Sequence, residues 1–562
     1  MSEPTSRLAR LLPIVRWLPG YRIAWLGPDV LAGLTVWALV VPESMAYAAI
    51  AGVPVQYGLY TIPLAVVGYA LFGTSKRLFV GPSSTVAALS AATVAPLAVA
   101  SSDHFVALTA VLALLVGGLY VLAGLLRMGF IARFFAKPVL EGFILGLGIY
   151  MVVGQIYKVV GAPKPSGTTF QALWADLTSI SEWNWTTVAV GTASLVVLFG
   201  LAKFAPKVPG ALVVVVAGIA ATALLSLENH GVEVVGSVPT GFAFVPWSGL
   251  TFDQVWAMVP GALGIIVVGY AESLAVAKAY TAKDNTSIDP NQELIAYGAA
   301  SIGAGMLQGL TTTGSLSKSA AADDAGSRTP VTFLVVGALA VVTVLFIAGV
   351  FEKLPEAVLG AVVIHAVWGM IDVHKLTRLA KASVPDFWLA LGAMVGVIAV
   401  GILAGIVIGV ILSLVLLIHR FDHPHVAILG RDRDGDRFEE LDGHPDARPV
   451  PGVLIYRLEA PLIFANADVV TDDITSKLEV DEHRAVVLDL EAVYEVDTEG
   501  TDTLVRLHDR LKGRGIAMVL ARAHGDVLGY MDRDASLGAF GPDAIFDTIS
   551  DAVDALTGDT RS

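Results

Sequence analysis

Runs of about 18 or more apolar residues, the length a helix needs to cross the hydrocarbon core of a bilayer, recur along this chain from about residue 29 to residue 419. Lipid offers a backbone no water to bond, so each run must fold as a helix that satisfies its own N–H and C=O groups. A charged fraction of only 15% and a mean hydropathy of +0.70 over 562 residues fit no soluble globular class. The pattern predicts a multi-span α-helical membrane protein held in a lipid bilayer, with 14 spans.

The remaining chain is of a different kind. Residues 440–562 alternate short apolar runs with charge, as in VLIYRLEA, AVVLDL and AMVLAR, and read as a small α/β domain. Residues 1–28, arginine-rich and without a long apolar core, read as an amphipathic segment at the membrane surface. Residues 421–439 read as a linker. Most of the net charge of −14 sits in the acidic tail and no basic stripe is visible, which excludes nucleic acid as a partner. With no cysteine the chain has no thiol chemistry and no disulfide, and neither an enzyme nor a bound cofactor or metal is expected. In the linker, HRFDHPH (419–425) is read as irregular spacing at a membrane exit, and DRDGD (432–436) as a hairpin turn, because Gly435 and Gly443 do not match a calcium loop.

Two of the 14 spans are poor. The third, VGPSSTVAALSAATVAP, and the tenth, TTGSLSKSAAADDAG, are rich in Gly, Ser and Thr, so each is expected to be a half-helix shielded by protein. Glu43 in the first span and Glu272 in the eighth are separated by nearly the same stretch of chain as those two half-helices. Seven spans therefore repeat, over about 29–226 and 254–419 within a transporter region of 29–420, and an odd number per repeat inverts the second copy. Lys and Arg concentrate in alternate loops, which places both termini in the cytoplasm.

A half-helix beginning at membrane depth presents unpaired N–H groups and the positive end of its dipole, which together favour an anion. Ser83 and Ser84 after Pro82, and Ser315 and Ser317 from the opposite direction, are the candidate anion ligands, with Lys318 supplying a positive charge. A carboxylate at this depth must be protonated, paired or holding a cation, so Glu43 and Glu272 are candidate ion-coupling residues. Pro42 is expected to break the helix ladder just before Glu43 and free a carbonyl, and Tyr47, one turn on, to wall the site.

The segments DVLAGLTVWALVVPESMAYAAIAGVPVQYGLY, LFVGPSSTVAAL, KPVLEGFILGLGIYMVVGQ and QGLTTTGSLSKSAA, followed by AVVLDLEAVYEVDTEG, resemble the sulfate permease (SulP) anion transporters over nearly the whole chain. The resemblance implies a seven-plus-seven fold divided into a moving core and a gate, a cytoplasmic STAS domain, a homodimer in the plasma membrane, and an anion between the third and tenth helix starts. It assigns that site to Tyr47, Ser83, Ser84, Ser315, Ser317 and Lys318, with Glu43 and Glu272 beside it. Relatives with an acid at the position of Glu43 resemble proton-coupled symporters, whereas many others carry glutamine there. Sulfate import with protons is the first reading. Sodium-coupled bicarbonate transport, with Glu272 and Thr312 or Thr313 holding sodium, dicarboxylate symport, and an anion-sensing receptor signalling through STAS remain open. Thr498 sits where signalling relatives of that domain are phosphorylated, and helix capping is its preferred reading.

Overall fold

In a computed structural model, residues 12–130, 137–163, 165, 169–206, 208–284, 288–433, 437–480 and 483–558 are described. Every apolar block carries a helix. The first repeat contains α1 (Leu26–Ala51), α2 (Gln56–Phe72), α3 (Ser84–Val94), α4 (Asp103–Leu125), α5 (Lys137–Val160), α6 (Trp185–Phe204) and α7 (Gly210–Leu225). The second contains α8 (Phe252–Asp284), α9 (Pro290–Met306), α10 (Leu316–Asp324), α11 (Val331–Val342), α12 (Glu356–Trp368), α13 (Val384–Val400) and α14 (Ile402–Asp422). The strands β1 (Phe79–Gly81) and β2 (Thr313–Ser315) lead directly into the two half-helices, α3 and α10.

α1 runs through Pro42, which interrupts its hydrogen-bond ladder without ending the helix. Proline removes one N–H donor and bends a ladder, and packing on all sides can hold the helix together across that loss.

The helices sort into two bundles. α9 packs on α4 and α2, α11 on α1 and α2, and α8 on α3 and α4, forming the core. α5 packs on α13, α12 and α6, forming the gate, while α12 and α7 meet α1 across the boundary. Small residues make these approaches possible, as is general where lipid supplies no hydrophobic drive between helices. A Cβ added at Gly298 of α9 would lie 2.7 Å from the Gly117 carbonyl oxygen of α4, and one added at Gly142 of α5 only 1.9 Å from that of Ala390.

Two fully buried carboxylates clasp the core. Asp29 of α1 accepts from the N–H of Arg328 (2.7 Å) and the Thr329 hydroxyl (2.7 Å), ordering the turn before α11. Reciprocally, Glu293 of α9 accepts from the Tyr69 hydroxyl (2.9 Å) and from the N–H (2.8 Å) and hydroxyl (2.6 Å) of Thr74, ordering the turn after α2. Each repeat thus holds a loop of the other, and a buried charge is made tolerable by its donors.

Compact units comprise residues 1–413 and 414–562. In the second, a six-stranded sheet has the order β4-β3-β5-β6-β7-β8, using β3 (Val426–Arg431), β4 (Phe438–Glu440), β5 (Val453–Leu458), β6 (Ala485–Asp489), β7 (Ala517–Ala521) and β8 (Ile545–Phe546). β5 to β8 run parallel, and β3 is antiparallel to both its neighbours. Leu454, Tyr456, Val486 and Leu488 face α15 (Ala467–Val480), α16 (Thr498–Gly513) and α17 (Gly525–Arg533). Val453, Ile455, Ala485 and Val487 face α18 (Ile549–Thr557). With both faces covered, the inner strands read as continuous apolar runs.

Residues 426–431 and 438–440, all but the last of them read from sequence as linker, are strands of this sheet. Their antiparallel pairing is what a hairpin at DRDGD requires, though residues 434–436 of that turn lie outside the described residues, as do residues 1–11 of the N-terminal segment. HRFDHPH starts inside α14, which continues to Asp422.

Candidate functional site

β1 and β2 pair antiparallel, Phe79 with Ser315, Val80 with Gly314 and Gly81 with Thr313. The pairing satisfies backbone groups that would otherwise be orphaned at membrane depth. Since each strand passes at once into a helix, it also brings the starts of α3 and α10 together from opposite directions. Ser83 caps α3, its Oγ accepting from the Val86 N–H at 3.5 Å. Ser315 precedes α10 without a side-chain cap; its Oγ lies 3.5 Å from Lys318 Nζ and 3.3 Å from Ser317 Oγ. Ser315 therefore leaves the first N–H groups of α10 uncapped, which are the groups a ligand can take.

Lys318 is 2% exposed, and its Nζ lies 2.6 Å from Glu43 Oε2 and 5.0 Å from the centre of the Tyr47 ring. The Tyr47 hydroxyl donates to the same Glu43 oxygen at 3.0 Å. Of the three states expected for a carboxylate at this depth, Glu43 is paired. Glu272, on α8, lies beside Thr85 and within electrostatic range of Lys318 and Tyr47, and one of its oxygens is buried without a hydrogen-bond partner among the described residues.

Glu43, Tyr47, Ser315 and Lys318 thus form one contact chain between the repeats, with Glu272 close by. Ser317 stands at the exposed rim next to Leu316, itself 58% exposed. Ser84 is buried, with its Oγ 3.9 Å from Met370 Sδ just beyond α12. Thr312 bonds Ser301 (2.9 Å), and Thr313 bonds Ser273 (2.6 Å) and the Gly269 carbonyl (3.1 Å), so both hydroxyls have protein partners other than Glu272. Sequence reasoning did not assign roles to Thr85 or His365. The His365 ring packs on Phe199 at 5.1 Å within electrostatic range of Glu43, and a lone histidine inside an apolar block was its legible signal.

In the second unit, Asp497 caps α16 by accepting from the Gly500 N–H at 2.8 Å. The cap is thus one residue earlier than Thr498, whose hydroxyl instead lies 2.9 Å from that of Tyr530.

Residues 26–393 match the sulfate permease family, nearly two thirds of the chain. The chain belongs to that family. This sulfate permease-family protein also matches the STAS domain over residues 444–552. It is 34% identical over 550 residues to a probable sulfate transporter of Mycobacterium tuberculosis, spanning 96% of this chain and 98% of the relative. It is 29% identical over 562 residues to the chloroplastic sulfate transporter 4.1 of Arabidopsis thaliana, spanning 97% and 82%. Murine Slc26a9, an anion transporter solved in its inward-facing state, superposes with a TM-score of 0.88 at 22% identity over 99% of this chain and 96% of that one. The transmembrane domain of the cyanobacterial bicarbonate transporter BicA superposes with a TM-score of 0.61 at 22% identity, over 70% and 98%. The fold is therefore the SulP transporter fold, a 14-span, 7+7 inverted repeat with core and gate followed by STAS. As a SulP protein it is a multi-pass membrane transporter of small anions and not an enzyme.

Proposed function

We propose that this protein imports sulfate together with protons, the core carrying the anion past the gate by an elevator-like displacement. The observation that carries the reading is the Lys318 to Glu43 pair at the junction of two helix starts. Before an anion binds, Glu43 neutralises the lysine. When Glu43 takes a proton, Lys318 is released as an unpaired cation facing uncapped N–H groups, and an oxyanion takes the place of the carboxylate. With Lys318 positive and Glu43 and Glu272 negative at the start, a divalent anion arriving with a proton on each carboxylate leaves the local charge unchanged. Uncompensated charge at this depth is costly, so the balance couples the two flows. Sulfate is the preferred substrate because the 34% identical relative is named a probable sulfate transporter.

Displacement of the core is supported by its separate packing and by its internal clasps at Asp29 and Glu293. The clustering of Lys and Arg in alternate loops supports cytoplasmic termini, and the resemblance to the SulP family supports a homodimer in the plasma membrane. The test is sulfate uptake into proteoliposomes. An inward proton gradient accelerates uptake by the parent protein, and Glu43→Gln removes that acceleration; undiminished gradient-driven uptake by the variant would sink the coupling. Exchanging sodium for choline leaves uptake unchanged, whereas loss of uptake in choline would favour the sodium-coupled bicarbonate reading.

A further inference from the structure

The continuation of α14 through the HRFDHPH stretch changes what those residues can do. As a linker their spacing is irregular. As a helix, His419, Asp422 and His423 fall at i, i+3 and i+4, one above another on a single face. The helical geometry persists to the last of them, since the His423 N–H still donates to the His419 carbonyl at 3.1 Å.

The two imidazole rings are 4.6 Å apart between centres, and His423 Nδ1 lies 3.2 Å from Asp422 Oδ2. One ligand atom from each of the three residues falls within 4.8 Å of the others. Four-coordinate zinc holds nitrogen and oxygen donors at about 2.0–2.2 Å, so neighbouring donors stand about 3.3–3.5 Å apart. Both histidines are exposed, and rotation of their side chains closes the remaining gap without disturbing packing. The His419 ring has no hydrogen bond among the described residues, which leaves its nitrogens available. The nearby His425, by contrast, is engaged with Glu459 at 3.1 Å.

We propose that His419, Asp422 and His423 bind a divalent first-row transition-metal ion at the end of α14, zinc by the chemistry of its donors. Two neutral imidazoles and one carboxylate suit zinc, cobalt, nickel or copper and discriminate against magnesium and calcium, which take oxygen donors. Three protein ligands leave at least one position for water. The helix supplies the preorganisation, since two histidines one turn apart need only side-chain rotation to chelate.

The test uses the full-length protein in detergent, stripped of metal and titrated with Co2+ while its visible absorption is recorded, with Zn2+ as competitor. One equivalent of Co2+ binds, with the intense d–d bands of four- or five-fold coordination, and Zn2+ displaces it. His419→Ala and His423→Ala each weaken binding at least about tenfold, because a chelate loses one of three donors. His425→Ala leaves binding unchanged. An unaltered affinity in the His419→Ala/His423→Ala double variant overturns the proposal. So does a parent protein that shows no saturable Co2+ or Zn2+ binding up to about 100 µM, far weaker than a built three-donor site. Both substituted positions are exposed, and unchanged anion uptake by each variant verifies the fold independently.

Discussion

Glu43 Oε2 and Lys318 Nζ stand 2.6 Å apart, each contributed by a different repeat. The Lys318 ammonium is therefore already neutralised by a carboxylate of the other repeat, and on the proposed function an incoming anion competes with that carboxylate for the lysine.

Lys318→Met is expected to weaken sulfate binding at least about tenfold, equivalent to about 1.4 kcal/mol, by removing the only full positive charge in the contact chain. Because the single change also strands Glu43 at depth, Lys318→Met/Glu43→Gln should recover thermal stability without recovering affinity. Competition binding and thermal unfolding in detergent separate the two effects. Unchanged affinity in Lys318→Met would remove the lysine from the site.

Glu293→Leu should destabilise the core by about 2–4 kcal/mol, because the Thr74 N–H and hydroxyl and the Tyr69 hydroxyl lose a common buried acceptor. Faster hydrogen exchange at residues 73–76 with little change in α5 and α13 is the expected signature; a uniform loss of protection would show that Glu293 is no local clasp.

Gly142→Val brings a Cβ to within 1.9 Å of the Ala390 carbonyl oxygen, far inside any tolerable contact. α5 and α13 must separate, at a cost of at least about 1–3 kcal/mol, typical of overpacking. The melting temperature and uptake should fall together, whereas Gly154→Ala on the same helix, where a Cβ meets nothing within 4 Å, should change neither.

Asp489, fully buried at the end of β6, accepts from Arg457 Nε (2.7 Å) and Arg522 Nε (3.0 Å). Asp489→Leu removes the buried acceptor the two guanidinium groups share and leaves them Glu491, which lies 2.7 Å from Arg522 and 3.8 Å from Arg457, so it should cost about 1–3 kcal/mol. Hydrogen exchange on the full chain is expected to rise in β5 to β7 and remain as in the parent in α1 to α4. Unaltered protection of β6 would show that the pair adds nothing to this sheet.

The sequence by itself determined that the chain crosses a membrane, how many helices do so, and that two of them are half-helices. These follow from local rules: span length comes from hydrocarbon thickness, and Gly, Ser and Thr at depth reveal a start that cannot face lipid. Tertiary structure alone decided who pairs with whom. Nothing local to Glu43 or Lys318 announces the other, and the strands before α3 and α10 are too short to be read as strands without the partner that completes their hydrogen bonds. The same holds at smaller scale. Asp497 takes the cap beside Thr498, α1 runs on through Pro42, and the end of α14 brings side-chain atoms of His419, Asp422 and His423 within 4.8 Å of one another. Each outcome depends on contacts or helical continuity that a one-dimensional pattern does not record, because burial and pairing energies belong to groups brought together only when the chain closes on itself.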